Sequence, residues 1–182
     1  MNKKRMCGLT CIILIAGLMI TTMVVVGLNG REIVRDVEVQ NPDGATGTAF
    51  VVFRPGVTSF NEEIVNQFVR GLIDSDWRVE VTTTSSQTPT NVTGYDLIVL
   101  GAPVNGAQPH QSMQAYLARA DFDGKPVVLI LTSGGEDASA PLDIFRNATI
   151  NANGIINSEL HYWLFESGAR NSAYTAGTEI TL

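Results

Sequence analysis

Cysteine is almost absent from this sequence. Two occur in 182 residues, Cys7 and Cys11, and both lie in an N-terminal apolar run. That excludes thiolate nucleophiles and cysteine-ligated metals from the rest of the chain. Histidine is equally scarce: His110 and His161 stand far apart, a poor basis for a metal site, so no metal is expected. Positive charge is low too. Residues 29–182 carry 9 basic and 18 acidic residues, a net of −9. A surface with that balance is ill suited to neutralise a phosphate backbone, and nucleic acid is not expected as a partner. The sequence holds no G-x-S-x-G and no P-loop, and no internal repeat is visible.

Charge is missing altogether from Met6 to Leu28, 23 residues that follow Lys3-Lys4-Arg5. About twenty apolar residues cross a hydrocarbon core as a helix. The run is long for the core of a signal peptide, and no A-x-A site follows it. Residues 1–28 are therefore read as a signal anchor, a single transmembrane helix, with a cleaved signal peptide as the alternative. The basic tip favours the cytoplasm, although Arg31 and Arg35 oppose it from the far side, so the domain is expected to be extracytoplasmic. Cys7 and Cys11, at i and i+4, share one helix face, where they either pack as small apolar residues or take acyl chains. Residues 29–45 read as a linker that ends in the turn-like Asn41-Pro42-Asp43-Gly44, and residues 46–182 as one domain. Two sequons, Asn91-Val92-Thr93 and Asn147-Ala148-Thr149, permit glycosylation.

Within the domain, apolar periodicity lays out strands and helices. Thr48–Phe53, Leu97–Gly101 and Val127–Leu131 are unbroken apolar runs, the pattern of strands covered on both faces in a parallel sheet. Ile64, Val65, Phe68, Val69, Leu72 and Ile73 form one helical stripe; Met113, Tyr116, Leu117 and Ala120 form another. Arg78–Thr84 alternates like an edge strand with Val79 and Val81 on one face, and the polar stretch Thr82–Thr93 reads as a loop. Leu142–Thr149 predicts a short helix, and Glu159–Phe165 a fifth strand on Leu160, Tyr162 and Leu164. The last seventeen residues are small and polar, with no strong helical pattern. Between Gly94 and Gly135 a strand, a helix and a second strand make one βαβ crossover, which implies a parallel sheet covered by helices. Ligands of such sheets bind outside the carboxyl ends of the strands, here the loops Ala102–Pro109 and Ser133–Pro141.

This order of elements and its loop chemistry resemble the flavodoxin family. The resemblance is carried by YDLIVLGAPVNG at 95–106 and GKPVVLILTSGG at 124–135; the stretch from His110 to Val127 is also similar to membrane-associated relatives acting on quinones or porphyrinogens. It spans about residues 46–166. It implies an α/β three-layer sandwich with a five-stranded parallel sheet in the order 2-1-3-4-5, preceded here by the transmembrane helix, with FMN at the switch point between the first and third strands. The family's phosphate loop, S/T-x-T-G-x-T, aligns with Gly56-Val57-Thr58-Ser59-Phe60-Asn61. The resemblance thus places Thr58, Ser59 and Asn61 at the phosphate, and Ala102, Pro103, Val104, Asn105, Gly106, Ser133, Gly134 and Gly135 beside the flavin ring.

The same residues carry plainer readings. Thr58–Asn61 also reads as ordinary helix initiation capped by Asn61. Glu62 and Glu63 suit the positive end of a helix, but they repel a phosphate placed there. Neither loop holds an aromatic residue, and Asn105 stands where the family often has tyrosine. Gly134 and Gly135 allow close approach of backbone to a ring, or make a plain turn. His110 opens a helix, either beside the ligand or as an exposed helix residue, while His161, beside Trp163, reads as structural. Glu136 and Asp137 read as a solvated loop. A phosphoreceiver would need an acidic cluster after the first strand, where Arg54-Pro55-Gly56 stands instead. The expectation is a membrane-anchored FMN electron carrier working with a redox partner protein. The alternatives are a flavin-free binding module of the cell envelope and a quinone-directed oxidoreductase.

Overall fold

The computed structural model describes residues 31–182, and the transmembrane helix expected over residues 1–28 lies outside them. Among the described residues no helix is long and apolar enough to cross a membrane. The elements run β1 (Glu38–Gln40), β2 (Gly47–Phe53), α1 (Phe60–Asp74), β3 (Trp77–Thr83), β4 (Leu97–Asn105), β5 (Gln108–Pro109), α2 (Gln111–Leu117), β6 (Pro126–Ser133), α3 (Ser139–Asn151), β7 (Ile155–Trp163) and α4 (Ala169–Thr178).

One sheet has the order β1-β3-β2-β4-β6-β7, with β5 paired to β4. β3, β2, β4, β6 and β7 run parallel to their neighbours, and among themselves they follow the order 2-1-3-4-5. The expected count of five is corrected to seven: β1 adds an antiparallel strand outside β3, and β5 folds back on β4. β1 arises within the stretch read as a linker and takes the sheet edge from β3. Three residues show no periodicity; what seats them is backbone pairing to β3. The chain before β1 is tied down as well, because the hydroxyls of Thr82 and Thr83 donate to the carbonyls of Arg35 and Ile33 at 2.8 and 2.6 Å.

Alternation along each central strand feeds two cores. Val51, Phe53, Val99, Val128 and Ile130 pack with Ile64, Val65, Phe68 and Leu72 of α1 and Ala169 and Ala173 of α4. Phe50, Val52, Ile98, Leu100 and Leu129 pack with Met113, Tyr116 and Leu117 of α2 and Phe145 of α3. Both faces are covered, which is why these strands read as unbroken apolar runs.

Three local readings change. The C-terminal seventeen residues contain a helix, α4, whose buried stripe is Ala169, Ala173 and Gly177. Small residues give no apolar signal, yet they are what the packing needs. A Cβ at Gly71 would collide with the Tyr174 carbonyl, and one at Gly177 with the Phe68 carbonyl, so α1 and α4 meet backbone to backbone. Second, β4 runs through Ala102, Pro103, Val104 and Asn105 and closes a hairpin with β5 through Gly106 and Ala107, at φ 58° and 62°. Positive φ at both central residues is the geometry of a tight two-residue hairpin turn. The expected loop is therefore strand and turn. Third, β7 spans Ile155–Trp163 rather than Glu159–Phe165, so Leu164 and Phe165 fall beyond the sheet.

Candidate functional site

Three connections leave the carboxyl edge side by side: β2–α1, the β4–β5 hairpin and β6–α3. Adjacent strands β2 and β4 lead to helices on opposite faces, α1 on one and α2 on the other. That is the switch point of the sheet. The three connections touch there. The Arg54 amide donates to the Gly101 carbonyl at 2.8 Å. A Cβ at Gly56 would stand 3.7 Å from Pro103 Cβ and 3.8 Å from Asn61 Cβ.

At the α1 end the polar groups are turned on one another. Ser59, not Asn61, holds the N-cap position, and it makes no side-chain cap bond. Asn61 is buried two residues further in. Its Nδ2 donates to the Arg54 carbonyl at 2.6 Å, and its Oδ1 accepts from Thr132 Oγ1 at 2.8 Å, tying the end of β2 to the end of β6. Ser59 Oγ donates to Glu63 Oε1. Glu63 is also paired with Arg170, and Glu62 with Arg35 at 2.7 Å. The Ser59 hydroxyl, and then Arg170, hold the Glu63 carboxyl below its ordinary pKa. Arg54 is buried, and burial lowers its pKa. Thr58 is exposed in the bend before α1.

The hairpin end is open by contrast. Ala102 is the exception: fully buried and in register with Leu131, it belongs to the core and is out of reach of a ligand. Pro103 and Val104 are half-buried, while Asn105 and Gly106 are exposed. Ser133 Oγ lies 2.8 Å from His161 Nε2 and bonds the Gly135 carbonyl. Gly134 and Gly135 are exposed, and a Cβ at either, or at Gly106, would meet nothing within 4 Å. Bare backbone faces solvent along this strip.

Aromatic surface exists beside it, supplied by the end of β7, a strand that the sequence predicts but whose aromatics it does not place at the site. Trp163 is in register with Ser133, and the Leu164 amide donates to the Ser133 carbonyl at 3.0 Å. Trp163 and Phe165 meet edge to face with centroids 6.2 Å apart, and Phe165 is 75% exposed. The available signal was the pairing of parallel neighbours: the end of β7 lands beside the end of β6, whatever the loops themselves contain.

His110 proves buried rather than exposed. It is the N-cap of α2, and its Nδ1 accepts from the Ser112 amide at 3.1 Å. Ser112 Oγ in turn lies 2.7 Å from Thr84 Oγ1. Two cavities flank the edge, one of about 400 Å³ beside Arg35, Phe53 and Glu62, the other of about 290 Å³ beside Ser85, Ser112 and Arg119; no residue predicted for the site lines either. Among the described residues no group of three or more His, Cys, Asp or Glu is placed to hold a metal ion.

No family model matches the sequence, and no curated protein matches it. Solved structures do. A flavodoxin from Streptococcus pneumoniae TIGR4 is 18% identical with a TM-score of 0.61, covering 72% of this chain and 96% of that one. An NAD(P)H:quinone oxidoreductase from Methanothermobacter marburgensis is 13% identical with a TM-score of 0.54, covering 74% and 96%. A flavodiiron protein from Giardia intestinalis is 14% identical with a TM-score of 0.59; the match covers 76% of this chain and 36% of that one. At such identities the fold is what is shared, and the protein has a flavodoxin-like α/β fold.

The resemblance to flavodoxins implies a flavin mononucleotide, and the residues present suit its two halves unequally. The ring half fits the open strip between the hairpin tip and Gly134-Gly135, where no side chain crowds the backbone. The phosphate half does not fit the α1 entrance. Of the predicted donors, Asn61 and Ser59 are committed to protein atoms while Thr58 is exposed, and two carboxylates stand in the first turn.

Proposed function

We propose that the protein is a flavin-binding electron carrier of flavodoxin type, held at the membrane by its N-terminal segment, outside the cytoplasm, and exchanging electrons with a partner protein. The observation that carries the reading is the meeting of the β2–α1, β4–β5 and β6–α3 connections at the switch point, with bare backbone exposed between Gly106 and Gly134. The flavodoxin and flavodiiron likenesses support it at the level of fold. FMN is the cofactor that the resemblance implies; when bound, a flavin supplies the one- and two-electron chemistry, and the protein supplies seat and electrostatics. In this reading the backbone of Asn105, Gly106, Gly134 and Gly135 runs along the ring, Phe165 covers one side of it, and Asn61 holds the two strand ends at fixed separation.

A second reading is favoured by the α1 entrance: a flavin-free module that uses the same edge to bind an envelope partner. One experiment separates the two. The full 182-residue chain in detergent is titrated with FMN and with riboflavin, following flavin fluorescence and visible absorption. Saturable quenching with a shifted spectrum is expected of a carrier. No saturation at high micromolar flavin, a binding free energy weaker than roughly −5 to −6 kcal/mol, selects the flavin-free module.

A further inference from the structure

Building on the flavin reading, we infer that this site takes up the ring and sugar of a flavin without engaging its phosphate, so that riboflavin binds as tightly as FMN. A phosphate site at a helix start needs amides and hydroxyls that are free to turn toward the anion, in a field that favours negative charge. At the α1 entrance Thr58 is exposed and the first-turn amides carry no side-chain cap, but the other two predicted donors are committed and the charge is of the wrong sign. Asn61 aims both ends of its amide inward, at Arg54 and Thr132, and its burial leaves no face for a ligand. The Ser59 hydroxyl is given to Glu63.

The charges point the same way. A helix N-terminus carries about half a positive charge, and here Glu62 and Glu63 already answer it from the first turn. The nearest exposed cations do not restore the balance, since Arg35 is paired with Glu62 and Arg170 with Glu63. A phosphate monoester brings roughly −1.5 to −2 charges at neutral pH. Drawing either arginine onto it would strip a carboxylate at the same spot. The internal carboxylate of Glu63 thus already takes the Ser59 hydroxyl that the resemblance assigns to the phosphate. The contacts left to a flavin lie at the open strip, and FMN and riboflavin share them equally.

The test compares dissociation constants of FMN and riboflavin for the full 182-residue chain in detergent, by fluorescence quenching at one ionic strength. The expected ratio is within threefold. In the E62Q/E63Q variant, with folding verified by circular dichroism, FMN is expected to tighten at least threefold while riboflavin is unchanged; an unaltered ratio overturns the assignment to the two carboxylates. A wild-type preference for FMN beyond threefold overturns the inference while leaving the carrier reading intact. Loss of that preference in R54M would then put the phosphate on the buried arginine. If neither flavin binds, the carrier reading itself fails, and this inference falls with it.

Discussion

At the α1 end of the carboxyl edge, polar side chains satisfy one another: buried Asn61 bridges Arg54 and Thr132, and Ser59 serves Glu63. At the hairpin end, backbone faces out, with Gly106, Gly134 and Gly135 open to solvent and Trp163 and Phe165 alongside. The two ends lie on the same sheet edge, and β2 and β4 are joined there by the Arg54 amide, which donates to the Gly101 carbonyl. Their difference shows that a switch point can keep its geometry while its polar chemistry is turned from ligand to scaffold. One end has become a brace, and the other remains a surface.

The sharpest way to break this contrast is to remove the brace. Asn61→Ala deletes two buried hydrogen bonds and leaves the Arg54 carbonyl and the Thr132 hydroxyl without them. A loss of about 2–4 kcal/mol in urea unfolding is expected. Asn105→Ala at the exposed hairpin tip should stay within about 0.5 kcal/mol, and equal costs at the two positions would erase the distinction. Next in size is Gly71→Ala, which forces a Cβ against the Tyr174 carbonyl and pushes α4 off α1. A cost of about 1–3 kcal/mol is expected; a thermal midpoint equal to wild type would show that the two helices have room to spare.

The open end is tested by Phe165→Ala. The side chain is 75% exposed, so stability should hardly move. Ring contacts of this kind are worth about 0.5–1.5 kcal/mol, so flavin affinity should fall about fivefold. An unchanged dissociation constant would detach the aromatic pair from the ligand. The smallest effect concerns acid. Glu63 titrates in the folded protein below its ordinary value of 4.5, chiefly through the Ser59 hydroxyl and then Arg170. A lowered folded-state pKa contributes stability above the unfolded value, and that contribution is lost as pH falls through the folded one. Glu63→Gln should therefore narrow the stability difference between pH 6 and the acid side of 4.5. A pH profile identical to wild type would mean that the pair contributes nothing to folding, as exposed pairs often do.

Much of the fold was legible because it rests on period and composition. β2, β4 and β6 announced themselves as unbroken Val, Ile and Leu runs, and α1 as a stripe from Ile64 to Leu72. α4 did not, since its buried face is alanine and glycine chosen for closeness rather than for apolar area. β1 and β5 were missed for a related reason: strands of three and two residues are held by pairing, and pairing is not written in their own side chains. At the site, the identities of Thr58, Ser59 and Asn61 were readable, but their hydrogen-bond partners were not. Thr132 is 71 residues from Asn61, and Arg170 is 107 from Glu63.

The sequence by itself determined the alternation of strand and helix, the two-sided burial of the central strands, the acidic balance of residues 29–182 and the place of the connections at the carboxyl edge, because each is a property of local pattern or of composition. Tertiary structure alone decided which polar groups at that edge are spent and which are open. It also brought in the aromatic pair, Trp163 at the end of β7 and Phe165 just beyond it, rather than aromatics of the two predicted loops. A hydrogen bond is used up by whichever partner the fold brings near, and no residue type states in advance who that partner will be.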